Sequence, residues 1–209
     1  MPAYTVNADV VDISTDAPRA TDALWVDTNV WYWQTYSRAS MRTTAPRRYQ
    51  LTNYPRYLQR CFRAGTSLHW MGLSLSELAH QIECAEWEIA QASASIPAGT
   101  KLKEFRHDFP TLRSGVVSEI QNVCAGIASI ASLLPVALDQ PLIDQAVVDL
   151  GACALDGYDQ LTRHALQRAG ISQVLSDDGD FCTVTGITLF TSNQGVIREA
   201  GTQGRLLVR

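Results

Sequence analysis

Two short apolar runs that stop abruptly at acid constrain this chain more than any other feature. They are Leu24-Trp25-Val26-Asp27-Thr28-Asn29 near its start and Val174-Leu175-Ser176-Asp177-Asp178-Gly179-Asp180-Phe181 near its finish. Runs this short that are apolar throughout suit strands buried on both faces, as in parallel sheets. Parallel neighbours need long crossovers, usually helical, and the chain supplies them. Ala23 to Val26 reads as a strand, followed by Thr28-Asn29 as helix-start chemistry. Residues 37–53 are polar, with Pro46, and read as a loop. Pro55 opens a helix with Tyr57, Leu58, Cys61 and Phe62 at helical spacing and Gly65 as its stop. A strand over Leu68 to Leu73 leads into a helix from about Glu77, with Leu78, Ile82, Ala85 and Ile89 as its apolar stripe.

Helices over Thr111 to Leu134, Leu142 to Leu150 and Gly157 to Gly170 follow, then strands over Ile171 to Leu175 and Ile187 to Phe190. The alternation predicts an α/β fold, three layers α/β/α around a central parallel sheet, plus a helical insertion at about 97–150. One domain is expected over 23–193, with an N-terminal arm (1–22) and a C-terminal tail (194–209).

The bulk composition, 46% hydrophobic and 18% charged, excludes a disordered chain. Five scattered cysteines, Cys61, Cys84, Cys124, Cys153 and Cys182, form no C-x-x-C pair and read as buried thiols of a reducing compartment. The start of the chain shows no basic-then-apolar signal pattern, so a cytoplasmic location is expected. The uncharged stretch from Ile120 to Leu138 is interrupted by Gln121, Asn122 and Pro135. It reads as a buried helix rather than a membrane span.

Parallel strands at the two apolar runs would bring Asp27 and Asp177/Asp178 to one sheet edge, where open α/β sheets place their active sites. Glu77 and Asp159 share that address, each at a strand end or in the first turn of a helix. Singly, each acid is explained as a helix cap or dipole partner. Together they would repel one another unless a cation sat between them. An all-oxygen set suits Mg²⁺ or Mn²⁺.

The charge of the chain is unevenly spread. No acid lies between Asp27 and Glu77, whereas Arg38, Arg42, Arg47, Arg48, Arg56, Arg60 and Arg63 all do, a +7 segment in a chain of net charge −4. Tyr49, Tyr54, Tyr57, Phe62 and Trp70 are interleaved with them, after Trp31, Tyr32, Trp33 and Tyr36. Arginine for phosphate with aromatic faces for bases is single-strand nucleic-acid chemistry. A solvated arginine face above an aromatic core contact accounts for the same pattern.

The chain resembles the PIN-domain family of ribonucleases, which includes the VapC-like toxins. The matching pieces are Leu24 to Val30, Leu73 to Leu78, Tyr158-Asp159 with Ala165-Leu166 and Gly170, Ser176 to Phe181, and Val184 to Thr191. The resemblance implies that Asp27, Glu77, Asp159 and Asp178 are the catalytic, metal-binding acids. Asp177 and Asp180 are rival candidates for the fourth place, and Asp156 competes for the third. Thr28 would hold a ligand or water by its hydroxyl, and Asn29 would brace the loop. The implied activity is hydrolysis of single-stranded RNA with Mg²⁺ or Mn²⁺, the strand held by Arg42, Arg47, Arg48, Arg56 and Arg60. An antitoxin protein and a second copy of the chain are the further partners that a toxin reading allows. The chain exceeds a compact toxin in length, and the insertion between Pro97 and Leu150 has no counterpart in one. A non-catalytic PIN-like module that binds RNA or protein, and a structure-selective DNA nuclease, are the competing functions.

Other chemistries lack support. Glu77-Leu78-Ala79-His80 has di-iron spacing without a second copy, His69, His107 and His164 stand apart, and no phosphate-binding glycine loop or nucleophile elbow occurs.

Overall fold

The computed structural model describes residues 4–42 and 45–209. The first three residues of the expected arm, and Thr43 and Thr44 of the expected loop, lie outside the described residues. In chain order the elements are β1 (Asp9–Asp12), β2 (Ala23–Val26), α1 (Thr28–Thr35), α2 (Gln50–Ala64), β3 (Ser67–Trp70), α3 (Gly72–Ala92), α4 (Leu102–Asp108) and α5 (Pro110–Ile130). Then come β4 (Ser132–Leu133), α6 (Gln140–Val148), α7 (Gly157–Arg168), β5 (Gln173–Leu175), β6 (Thr188–Thr191), α8 (Gln194–Thr202) and β7 (Leu206–Leu207). All the strand pairs are parallel, in the order β4-β3-β2-β5-β6-β1-β7.

Helices cover both faces of this sheet, and the strands show it residue by residue. Val11, Leu24, Val26, Leu175 and Phe190 face one core with Trp31 of α1, Tyr57 of α2, Ile82 of α3 and Ile127 of α5. Their neighbours Val10, Trp25, Val174 and Leu189 face the opposite core with Leu142 of α6, Leu166 of α7 and Val196 of α8. Burial of both parities explains why these strands read as continuous apolar runs. A satellite cluster of Ala90, Ile96, Phe105 and Val116 seats the insertion on α3, where Glu83 accepts from Arg106 and Arg113 at 2.5 Å each.

Several boundaries differ from the sequence reading. The expected N-terminal arm contributes β1 to the sheet, and the expected C-terminal tail contributes α8 and the edge strand β7. The insertion is not purely helical: α5 ends at Ile130, Ala131 turns extended, and β4 pairs with β3 through His69 and Ser132. Helix α2 starts at Gln50, leaving Pro55 inside it, because tertiary bonds hold its first turn. Helix α3 starts at Gly72, so Glu77 lies in its second turn rather than at its start. Buried Ser74 extends the stripe one turn back, and a small polar residue gives no apolar signal. No helix is long and apolar enough to cross a membrane among the described residues. The five cysteines are unpaired; Cys61 and Cys182 are buried, the other three half-buried.

Candidate active site

Strands β2 and β5 are direct neighbours, with Val26 opposite Leu175. From β2 the chain steps outward to β3 and β4, then crosses to β5 and β6 on the other side. Their carboxyl ends therefore flank the switch point of the sheet, where diverging connections leave a crevice. Asp27, Asn29, Glu77, Asp156, Tyr158, Asp159 and Asp178 line a cleft there of about 300 Å³.

Asp27 occupies the N-cap position of α1, yet its side chain makes no capping bond. Ser176 Oγ instead donates to Asp27 Oδ2 at 2.6 Å, and the Asp27 amide donates to the Leu175 carbonyl at 3.0 Å. The capping account of this acid is thereby removed. Glu77 reaches the cleft from α3, where Gln81 Nε2 donates to both Glu77 Oε1 and Asn29 Oδ1 at 3.2 Å. That bond joins α3 to α1. Asp156 is the true cap of α7, its Oδ1 accepting from the Tyr158 and Asp159 amides at 2.9 Å each. Asp159, in the first turn, accepts no hydrogen bond and forms no ion pair among the described residues. Asp178 sits beyond β5, its amide tied to Ser176 Oγ and its Oδ1 to the Asp180 amide, both at 2.9 Å.

Among the described residues no lysine or arginine lines the cleft, and the acids respond to that. Burial pushes the Asp27 carboxyl up to about 7, the bond from Ser176 opposing and Glu77 and Asp178 reinforcing. Burial pushes Asp159 up to about 8, with Asp27, Asp156, Asp178 and Glu77 adding to it. Tyr158 is held protonated by burial and by Glu77 and Asp27. Its hydroxyl and that of Thr28 are buried, and neither closes a hydrogen bond of normal geometry.

Among the described residues, no three His, Cys, Asp or Glu side chains converge closely enough to form a ready-made metal centre. The donor chemistry nonetheless fits a hard divalent cation. The groups are oxygens, and among the described residues no basic side chain stands beside them.

No protein-family model matches the chain, and no curated protein matches it significantly. Its chemistry is therefore read from the cleft.

The other expected site residues divide. Asp177 faces away from the cleft: Tyr49 Oη and Gln50 Nε2 donate to its Oδ2 at 2.8 and 2.6 Å, and Tyr54 Oη donates to its Oδ1 at 2.6 Å. It anchors α2, which leaves Asp178 as the acid of that loop on the cleft lining. Burial raises Asp180, helped by Asp178 and Asp156, but Asp180 is not on the lining.

None of the five expected substrate-binding arginines lines the cleft. Arg42 is bound by Glu88 through Nε and Nη2 at 3.3 and 2.8 Å. Arg60 donates to the carbonyls of Ile13 and Asp16. Arg47, Arg48 and Arg56 are exposed. The aromatics are core rather than stacking platforms: Trp31, Tyr32, Tyr36, Tyr54 and Tyr57 are buried, and Trp33, Tyr49 and Trp70 pack against the same core. Phe62 alone among them is mostly exposed, at 65%. A β-sheet covered on both faces needs large apolar groups, and this segment supplies them. Gln81, Ser176 and Tyr158 escaped the sequence reading as site residues, since a lone polar side chain carries no spacing signal.

Proposed function

We propose that this protein is a metal-dependent endoribonuclease of PIN type. The observation that carries the reading is the gathering of Asp27, Glu77, Asp156, Asp159 and Asp178 in one cleft at the sheet's switch point, without a basic side chain. Such an arrangement costs stability and is retained where the charge has work to do. Asp27, Glu77, Asp159 and Asp178 are the residues that would hold Mg²⁺ or Mn²⁺. When bound there, such an ion supplies charge neutralisation at a phosphodiester and acidifies water.

The chain's own residues do the rest. Ser176 orients the Asp27 carboxylate, Gln81 orients Glu77, and Asp156 fixes the first turn of α7 and with it Asp159. Tyr158, on the cleft lining, brings a hydroxyl without a hydrogen-bond partner, apt to hold water, whereas Thr28, expected as a ligand, is wholly buried and not on the lining. The high proton affinity of Asp27 and Asp159 lets either take a proton near neutral pH when no cation is present. The cleft suits any phosphodiester; RNA is named by the resemblance of the motifs to PIN ribonucleases.

The test is cleavage of single-stranded RNA in the presence of Mn²⁺, with single-stranded DNA in parallel. Cleavage is expected to cease with chelator and to fall by at least about a hundredfold in Asp27→Asn. Undiminished cleavage in Asp27→Asn sinks the assignment, and cleavage of DNA alone sinks the choice of RNA.

A further inference from the structure

The carboxyl edge of the sheet carries a second hollow, of about 110 Å³, lined by Ile13, Ser14, Asn53, Arg56 and Arg60. Ile13 and Ser14 directly follow β1. Asn53 Nδ2 donates at 2.7 Å to the hydroxyl of Ser192, the first residue past β6. The hollow thus sits at the ends of β6 and β1, as the acid cleft sits at the ends of β2 and β5. With strands about 4.8 Å apart, two strand spacings, or about 10 Å, separate the two along one edge.

Asn53, Arg56 and Arg60 stand three and four residues apart, which puts them on one face of α2. Their guanidinium groups differ in state. Arg60 is fixed, its Nη atoms on the Ile13 and Asp16 carbonyls and its Cζ 5.2 Å from the centre of the Tyr57 ring, while its Nε is buried with no partner. Arg56 is exposed and makes no hydrogen bond or ion pair among the described residues.

The neighbouring acids are already committed. Asp16 is taken by Tyr57 Oη and Arg209, and Asp12 Oδ1 accepts from the Ser14 amide at 2.8 Å. The space has room for a few waters, enough for one tetrahedral oxyanion. The exposed guanidinium of Arg56, with the Asn53 amide beside it, can donate to such an oxyanion, and Arg60, held on backbone carbonyls, adds its charge.

We propose that this hollow is a phosphate subsite that holds one backbone phosphate of a single-stranded nucleic acid while a neighbouring phosphodiester lies at the carboxylates. The arginine segment then acts at a defined place, Arg56 by donating to the phosphate and Arg60 by its charge. Assigning the phosphate to a cleavable substrate rests on the nuclease reading; the hollow's affinity for a nucleic-acid backbone does not.

The experiment measures binding of a short fluorescent single-stranded RNA to full-length protein carrying Asp27→Asn, across a salt series, alone and with Arg56→Gln or Arg168→Gln. Arg168 pairs with Asp139 at the far end of α7 and matches the change in net charge. Arg56→Gln is expected to weaken binding about tenfold and to flatten the salt slope by about 0.7, as loss of one phosphate contact on a single strand does. Arg168→Gln is expected to change neither. Equal weakening by both, or by neither, overturns the subsite. In the active protein, Arg56→Gln should raise KM about tenfold with kcat little changed. Specific weakening by Arg56→Gln without any cleavage by the parent leaves the subsite standing and removes the nuclease reading. Asp27-dependent cleavage with KM indifferent to Arg56→Gln does the reverse. An unchanged melting temperature certifies that each variant is folded.

Discussion

Asp27 shows how far one residue's chemistry departs from what its neighbours in sequence suggest. The order Val26-Asp27-Thr28-Asn29 reads as a strand end and a helix cap, yet the carboxylate makes no cap bond and turns to Ser176, just past the neighbouring strand β5. Burial and crowding raise Asp27 to about 7 and Asp159 to about 8, whereas both titrate near 4 in an unfolded chain. Between those limits the native state binds more protons than the unfolded state, so stability falls as pH rises through the window. Without metal, the melting temperature is expected to drop from pH 5 to pH 8, and Asp27→Asn should remove part of that drop. Mn²⁺, which needs deprotonated ligands, should raise the melting temperature more at pH 8 than at pH 5. A flat profile in chelator across that range would mean that the carboxyls are not crowded.

At the scale of elements, α2 explains why adjacent acids part company. Asp177 and Asp178 share one polar loop, and only the family resemblance favours Asp178 there. Packing separates them: the first turn of α2 presents Tyr49, Gln50 and Tyr54 to Asp177, and Tyr54 Oη also receives the Ser192 amide at 2.9 Å. Asp177→Ala should cost about 1–3 kcal/mol, because it strands buried donors, and should show as a lowered urea midpoint. Asp178→Asn should leave that midpoint almost unmoved while abolishing RNA cleavage. The same contacts explain the start of α2 at Gln50, ahead of the Pro55 that marks a helix opening in sequence. Glu77 follows the same logic, since its position one turn into α3 depends on a buried Ser74 that no hydrophobic stripe reveals.

Across the whole molecule, remote segments are clasped together by Arg209. Its guanidinium bridges Asp16 and Asp22, with bonds of 2.8 to 3.1 Å, and lies 4.6 Å from the Phe190 ring. Asp16 and Asp22 are almost wholly buried, at 3% and 4% exposure. Burial pushes Asp22 up, but bonds from Arg209 and the Arg19 amide bring it below its ordinary value. Removing the cation leaves two buried carboxylates uncompensated, so Arg209→Ala should cost about 3–5 kcal/mol at neutral pH. Asp22's depressed value means that this stabilisation is present above the ordinary carboxylate range and lost as pH falls below it. Denaturant titrations at pH 7 and pH 3.5 should therefore show the penalty shrinking in acid; an equal penalty at both would point to lost packing on Phe190 alone.

The sequence by itself determined the α/β alternation, the parallel sheet and the placing of Asp27, Asp159 and the Asp177-Asp178 pair at carboxyl ends of strands or helix starts. Burial on both faces and helix-start chemistry are written in a few consecutive residues. Tertiary structure alone decided that β1 and β7 join the sheet, that Asp178 rather than Asp177 faces the cleft, and that Arg42 and Arg60 serve ion pairs and carbonyls while Arg56 stays free. It also turned the aromatics of the arginine segment into core. Each of those outcomes depends on which group a distant part of the chain brings alongside, and local periodicity carries no information about that partner.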